Sequence, residues 1–176
     1  MYFLFLAVQA LVMLFQLRSL LQSSSADYYH PLTQAVIKLT DPIIKRLPRR
    51  GLHIGSFYLG GFIVALFICM ATFGALFFSF KMSVQEMVIL TLVMFIKSFG
   101  YLVICLLFAQ ALSSWLPSTR AFSFYVGQIT AIITAPVQKI IPPIGMIDIS
   151  LMVVLIAIFA LNRLFFGIFG IYWLAF

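Results

Sequence analysis

Apolar residues crowd into four stretches of the chain, and polar residues gather almost entirely between them. The stretches cover roughly 3–21, 56–80, a run within 87–115, and a run from 149 to 162 or as far as 172. A helix needs about 20 such residues to cross the hydrocarbon core of a bilayer, so four transmembrane helices are expected. Between the first two stretches the rhythm changes. Leu32, Ala35, Val36, Leu39 and Ile43 follow the i, i+3, i+4, i+7, i+11 spacing of one stripe along a helix. Pro31 suits the first helical turn, where its missing N–H costs nothing. Pro42 is expected to end the helix, because the residue before a proline is pushed out of helical geometry. Val126, Ile129, Ile133 and Val137 repeat the stripe between the last two stretches, again ahead of a proline, Pro136. At about 11 residues these helices are too short to span. Each is expected to lie at the interface or to dip in as a re-entrant element.

That second amphipathic segment is a copy of the first. Shifting the chain by 94 residues without gaps superposes ten identical residues between positions 16 and 56, Ser24 on Ser118 and nine others. Gln16 falls on Gln110, Ser19 on Ser113, Gln34 on Gln128, Thr40 on Thr134, and Pro42 on Pro136. Lys45 falls on Lys139, Pro48 on Pro142, Gly51 on Gly145, and Ser56 on Ser150. All ten are polar or backbone-shaping, so a shared richness in Leu and Phe does not explain them. A tandem duplication does, with one unit at 1–80 and the other at 81–176. Two crossings per unit leave both the same way up, a parallel rather than inverted repeat. The expected fold is an all-α membrane protein with about four transmembrane helices in two parallel repeats, each with a short amphipathic interfacial or re-entrant helix.

Composition agrees. Of 176 residues, 64% are hydrophobic and 9% charged, against about 25% charged in soluble domains. Eleven Lys/Arg face four Asp/Glu, a formal charge of +7. On a soluble protein that would suggest nucleic acid. Here the basic residues flank apolar segments, so they signal topology and anionic headgroups, and no nucleic acid is expected. Arg18, Lys38, Lys45, Arg46, Arg49, Arg50, Arg120 and Lys139 belong to one side, and Lys81 to the other. The positive-inside rule places the two long loops in the cytoplasm and both termini outside, in an inner (cytoplasmic) membrane. Trp115 suits the inner interface, and Tyr2, Tyr172 and Trp173 the outer one. The first charge, Arg18, follows the first apolar stretch instead of preceding it, so a cleaved signal peptide is not expected.

The residues around these loops resemble the YggT family. Arg18, Gln22, Asp27, Tyr29, Pro31, Gln34, Lys38, Thr40 and Pro42 look like its first half. Ser114-Trp115, Pro136, Pro142, Gly145, Ile147-Asp148 and Ser150 look like the signature of its second half, and Lys97-Ser98-Phe99-Gly100 like its middle. The resemblance covers essentially the whole chain. It implies a multi-pass membrane protein of the type found in bacteria and plastids, loosely linked to osmotic tolerance, cell division and nucleoid placement, and cofactor assembly at plastid membranes. It brings no catalytic residue set. The chain departs from the family where an Arg pair is common between the two prolines of the second unit. Gln138-Lys139-Ile140-Ile141 stands there instead. Gln110 replaces an Arg that often precedes Ser-Trp, and Leu52-His53-Ile54 stands where Ile-Asp is common.

Few residues offer chemistry. Lys97 is either an intramembrane cation, costly and hence functional, or a residue that snorkels to the outer headgroups. Arg163 poses the same choice from the last span. With no acid in the outer halves, both suit lipid phosphate, a backbone carbonyl or another subunit. Asp148 and Ser150 suit a cap at the start of the last helix, and Asp41 suits turn chemistry before Pro42. Gln16 and Gln110 suggest a symmetric polar contact between helices, with Arg18 and Gln22 nearby, and the lining of a narrow pore is the other reading. Lys45, Arg46, Arg49 and Arg50 form either a topology signal or a docking surface for anionic lipid or an acidic partner. Cys69 and Cys105 read as small buried side chains. His30 and His53 have no ligand-spaced partners, so neither metal nor cofactor is expected. With no nucleophilic triad, phosphate loop or paired carboxylates, no enzyme is expected. The leading reading is a membrane organiser or assembly factor, connected with envelope or osmotic stress tolerance or cell division. It would act on lipid, on a membrane protein partner or on a second copy of itself. The alternative is a small channel or a component of osmolyte or ion transport.

Overall fold

The computed structural model describes residues 2–46, 53–55, 57–80, 82–141 and 149–174. Its helices are α1 (Tyr2–Ser23), α2 (Pro31–Ile44), α3 (Gly60–Phe80), α4 (Val84–Trp115), α5 (Arg120–Gln138) and α6 (Ile149–Phe169). Single 3-10 turns lie at Pro117–Thr119 and Gly170–Leu174. Span, short helix, span thus occurs twice in succession. Four segments are long and apolar enough to cross a membrane: Phe3–Ser23, Gly60–Ser79, Val84–Trp115 and Ser150–Leu174. The fold is an all-α membrane architecture. Pro48, Arg49, Arg50, Gly51, Ser56, Lys81, Pro142, Gly145 and Asp148 lie outside the described residues.

The amphipathic helices depart from expectation in two ways. They are longer, at 14 and 19 residues, and neither stops at its proline. Each runs two residues further, to Ile44 past Pro42 and to Gln138 past Pro136. A proline in the final turn removes one N–H and leaves the later donors intact. The Lys45 N–H still reaches the Asp41 carbonyl at 2.9 Å, and the Lys139 N–H reaches that of Ala135 at 3.2 Å. The stripes also differ in what they face. On α2, Leu32, Leu39 and Ile43 are exposed, while Thr33, Val36, Ile37, Thr40 and Ile44 are buried against the bundle. On α5 the stripe itself is inside, with Val126 and Ile129 buried.

Helix α4 is the shared spine. Its first half packs with α1 and α3 in a core of Val12, Phe15, Ala65, Cys69, Phe73 and Met94. Its second half meets α1 and α5 through Leu20, Leu102, Tyr125 and Ile129, and α6 through Val103, Leu107, Leu151 and Val154. It begins on a capping box. The Ser83 side chain accepts from the Glu86 N–H, and the Glu86 carboxylate accepts from the Ser83 N–H at 2.8 Å. Tyr101, Cys105, Phe108 and Leu112 form its exposed stripe. Cys105 is therefore on the outside, contrary to the expectation of two buried thiols, because the i, i+4, i+7 rhythm carries it away from α5 and α6.

Between α2 and α3 the chain makes a hairpin that the apolar pattern did not announce. β1 (His53–Ile54) and β2 (Phe57–Tyr58) are antiparallel, with His53 opposite Tyr58. Gly55 takes the left-handed conformation of the turn at φ 60°. The hairpin delivers the chain to α3, whose start is held by α1. Ser23 Oγ accepts from the Tyr58 N–H at 2.8 Å, and Ser19 Oγ accepts from the Phe62 N–H at 3.1 Å. Ser19 thereby satisfies one of the orphan donors of the α3 N-terminus. Gly61 makes this approach possible, because a Cβ there would collide with the Phe15 carbonyl.

Candidate functional site

Gln16 and Gln110 coincide under the repeat but keep different company. Gln16 is fully buried, and its Nε2 donates to the Phe95 carbonyl of α4 at 3.0 Å. Gln110 accepts from Thr130 Oγ1 of α5 at 2.6 Å. The 94-residue shift places Val36 where α5 has Thr130. With no hydroxyl at that position of α2, Gln16 is tied to α4 instead. Neither glutamine bonds the other, so the symmetric contact suggested by the sequence is two separate ties. Thr40 and Thr134 do behave alike. Both are buried and donate to the carbonyl four residues back, Val36 and Thr130 respectively.

Arg18 lies two residues from Gln16, only 6% exposed. Its Nη2 reaches Asp41 Oδ1 at 3.3 Å, and Lys45 Nζ reaches Asp41 Oδ2 at 2.7 Å. Asp41 is therefore a bridge between α1 and the end of α2, not the turn residue expected. Arg18 Nε and Nη1 are buried and make no hydrogen bond among the described residues. Burial pushes the Tyr58 phenol above its ordinary pKa, and the positive charge of Arg18 offsets part of that rise. Lys38, Lys45, Arg46 and Lys139 are all exposed, and Ser150 is buried at the start of α6.

Helices α2 and α5 meet at the start of α2. The His30 ring stacks on Tyr125 at 3.6 Å between centroids, and Thr33 Oγ1 lies 2.8 Å from Tyr125 Oη. Burial raises the Tyr125 pKa, the hydrogen bond to Thr33 lowers it, and the charge of Asp27 adds to the rise. His30 Nδ1 also caps α2 by accepting from the Leu32 N–H at 3.3 Å.

Lys97 and Arg163, considered separately in the sequence, line one cleft of about 620 Å³ between α4 and α6. The first turns of α6 are packed, through Leu151 and Val154, but from Phe159 to Phe169 no residue is buried. The helix ends at Gly170, where φ is 56° and the chain folds back. The return brings Trp173 against Phe165 and Phe169. Lys97 Nζ donates to the Trp173 carbonyl at 2.6 Å and lies 5.5 Å from its ring and 5.9 Å from that of Tyr101. Trp173 Nε1 donates to Asn162 Oδ1 at 2.8 Å. The Arg163 guanidinium lies over the Phe166 ring at 5.5 Å. Sequence reasoning placed Trp173 only in an outer aromatic belt and passed over Asn162. Gly170, a helix-ending residue inside an apolar run, was the available signal for the fold-back.

Among the described residues no three His, Cys, Asp or Glu side chains come together as a metal site. The sequence pattern of a family described as CCB3/YggT matches residues 89–169. A protein of Vibrio alginolyticus named "Uncharacterized protein in proC 3'region" is 33% identical over 172 residues, which are 92% of this chain and 90% of that protein. An "Uncharacterized protein" of Haemophilus influenzae is 29% identical over 170 residues, 95% of this chain and 90% of its own length. "Uncharacterized protein YggT" of Escherichia coli K12 is 25% identical over 156 residues, 88% and 82% of the two chains. No solved structure matches.

Proposed function

The chain belongs to the CCB3/YggT family of membrane proteins, and from that premise we propose that it is a non-enzymatic organiser or assembly factor. It works by presenting its membrane-facing surfaces to a partner membrane protein. One observation carries this reading. The core shared by α1, α3 and α4 is filled by fully buried side chains, Val12, Phe15, Phe73 and Met94 among them, while the outer flank of α6 is uncovered. Met152, Ile156, Leu164 and Ile168 are all exposed on a helix of which 11% is buried over its most apolar window. A scaffold needs such a surface, and a solute pathway needs the reverse, an open polar interior.

In this reading the chain sits in an inner membrane, with the α2 and α5 loops in the cytoplasm and both ends outside. The exposed stripe of α2, Leu32, Leu39 and Ile43, meets the cytoplasmic interface, and Lys38, Lys45 and Arg46 meet anionic headgroups beside it. Envelope stress or division is the setting in which such an organiser would act.

Flux through the purified protein in sealed liposomes tests the reading against transport. Ion and small-osmolyte leakage should equal that of empty vesicles over a range of protein densities. Flux that scales with protein density and saturates with solute would overturn it.

A further inference from the structure

We propose that the cleft between α4 and α6 holds one anionic phospholipid. Its phosphate sits at Arg163, and an acyl chain lies along Val103, Ile104, Ile133 and Ile158. This stands on the cleft alone and is independent of whether the outer flank of α6 meets a partner.

The cleft is amphipathic along its length. Lys97, Asn162, Arg163 and Trp173 gather at one end. Ile104 is seven residues further along α4, roughly 10 Å at 1.5 Å per residue. Ile158 lies more than a turn back along α6, and Ile133 of α5 closes the floor. A charged head at one end and a hydrocarbon chain toward the other is the pattern of a lipid. A soluble anion would leave the apolar walls unused. The cleft volume of about 620 Å³ is within the roughly 300–1,000 Å³ of small-molecule sites, room for the phosphate and part of one acyl chain.

The charge has one sign. Among the described residues no Asp or Glu side chain lines the cleft and no carboxylate pairs with Arg163. A guanidinium facing hydrocarbon is costly unless an anion meets it. Its planar fork fits the oxygens of a phosphate in bidentate fashion. Asn162 adds a donor whose direction is fixed. The indole N–H of Trp173 can only donate, so Asn162 must turn Oδ1 toward it, and its amide nitrogen is left for the cleft. Lys97 is a positioning residue. Through the Trp173 carbonyl it pins the fold-back that closes the polar end.

Trp173 reports on the site directly. The chain has two tryptophans, so Trp115→Phe leaves Trp173 alone. In vesicles of the full-length protein, bromine on the acyl chains of phosphatidylglycerol should quench its fluorescence at about one-fifth of the mole fraction needed with brominated phosphatidylcholine. Arg163→Gln should erase that preference, and Arg163→Lys should keep part of it. Equal quenching by the two lipids in the Trp115→Phe protein overturns the proposal, and so does a preference that survives Arg163→Gln. If Arg163→Gln fails to fold, the first comparison and the Lys variant still decide. Displacement of the lipid by millimolar inorganic phosphate would mean a free-anion site and would also overturn it. None of these outcomes bears on the flux measurement, so the two readings fail separately.

Discussion

Replacing Gly61 by alanine should loosen the joint between α1 and α3, whereas the same change at Gly74 should be harmless. A Cβ on Gly61 would meet the Phe15 carbonyl oxygen head-on and lie 2.7 Å from Ser19 Oγ. The carbonyl belongs to the α1 backbone, so the helices must separate for the methyl to fit. Overpacking of this kind costs about 1–3 kcal/mol. The better helix propensity of alanine returns at most about 1 kcal/mol, and less in a first turn. Separation also stretches the 3.1 Å bond by which Ser19 caps α3, worth about 1 kcal/mol. The net expectation is a loss of about 1–3 kcal/mol. At about 2–4 °C per kcal/mol for a chain of this length, that is roughly 2–12 °C in Tm. A Cβ on Gly74 meets nothing within 4 Å, so Gly74→Ala should be neutral or raise Tm slightly. The assay is thermal unfolding of the detergent-solubilised protein, followed by circular dichroism, with Ser19→Ala as the variant that removes the cap without adding volume. Equal Tm values for Gly61→Ala, Gly74→Ala and the unmodified chain would refute the close approach and the packing derived from it.

Asp41→Asn should cost about 1.5–3 kcal/mol, because it strands the buried Arg18 guanidinium. An Arg18→Met/Asp41→Asn double variant should recover part of that loss in the same unfolding assay. Thr33→Val should cost about 1–3 kcal/mol by removing its hydrogen bonds to Tyr125 and to the Asp27 carbonyl, and a cycle with Tyr125→Phe should isolate the Tyr125 part. The folded-state pKa of Tyr125 is raised above the ordinary value of 10.0. Its contribution to stability is therefore complete below pH 10 and is lost as pH climbs through the folded-state value. Unfolding measured from pH 8 to pH 11.5 should show a steeper alkaline decline in the unmodified protein than in Tyr125→Phe. Gln16→Leu and Gln110→Leu should each cost about 0.6 kcal/mol and no more than about 1.7. Their effects should add within about 0.5 kcal/mol, since the two amides have different partners, and a larger coupling term in the double variant would contradict the geometry.

The spans were legible because a bilayer imposes length and hydrophobicity on a helix, and the structure finds helices at all four. The amphipathic helices were legible from their stripes, but not the place where they end. The rule about the residue before proline is a preference, and two further residues hydrogen-bonded past Pro42 and Pro136 cost little in a final turn. Ser83 and Glu86 spelled a capping box that the apolar pattern overshadowed. The partners of Gln16 and Gln110 could not be read from their coincidence, because the Thr130 hydroxyl that meets Gln110 has only Val36 at the matching place on α2. Lys97 and Arg163 are 66 residues apart in sequence, and only the pairing of α4 with α6 and the reversal at Gly170 bring them to one cleft.

The central claim is that the uncovered flank of α6 is where this protein does its work, and crosslinking in the native membrane tests it most directly. A photoreactive amino acid placed at Ile156, Leu164 or Ile168, all exposed, should yield one discrete protein adduct of the same mass from each position. The same group at Val64, which is buried between α1 and α3, should yield none. Adducts with lipid alone from all three α6 positions, in membranes where the protein is at its natural abundance, would contradict the account.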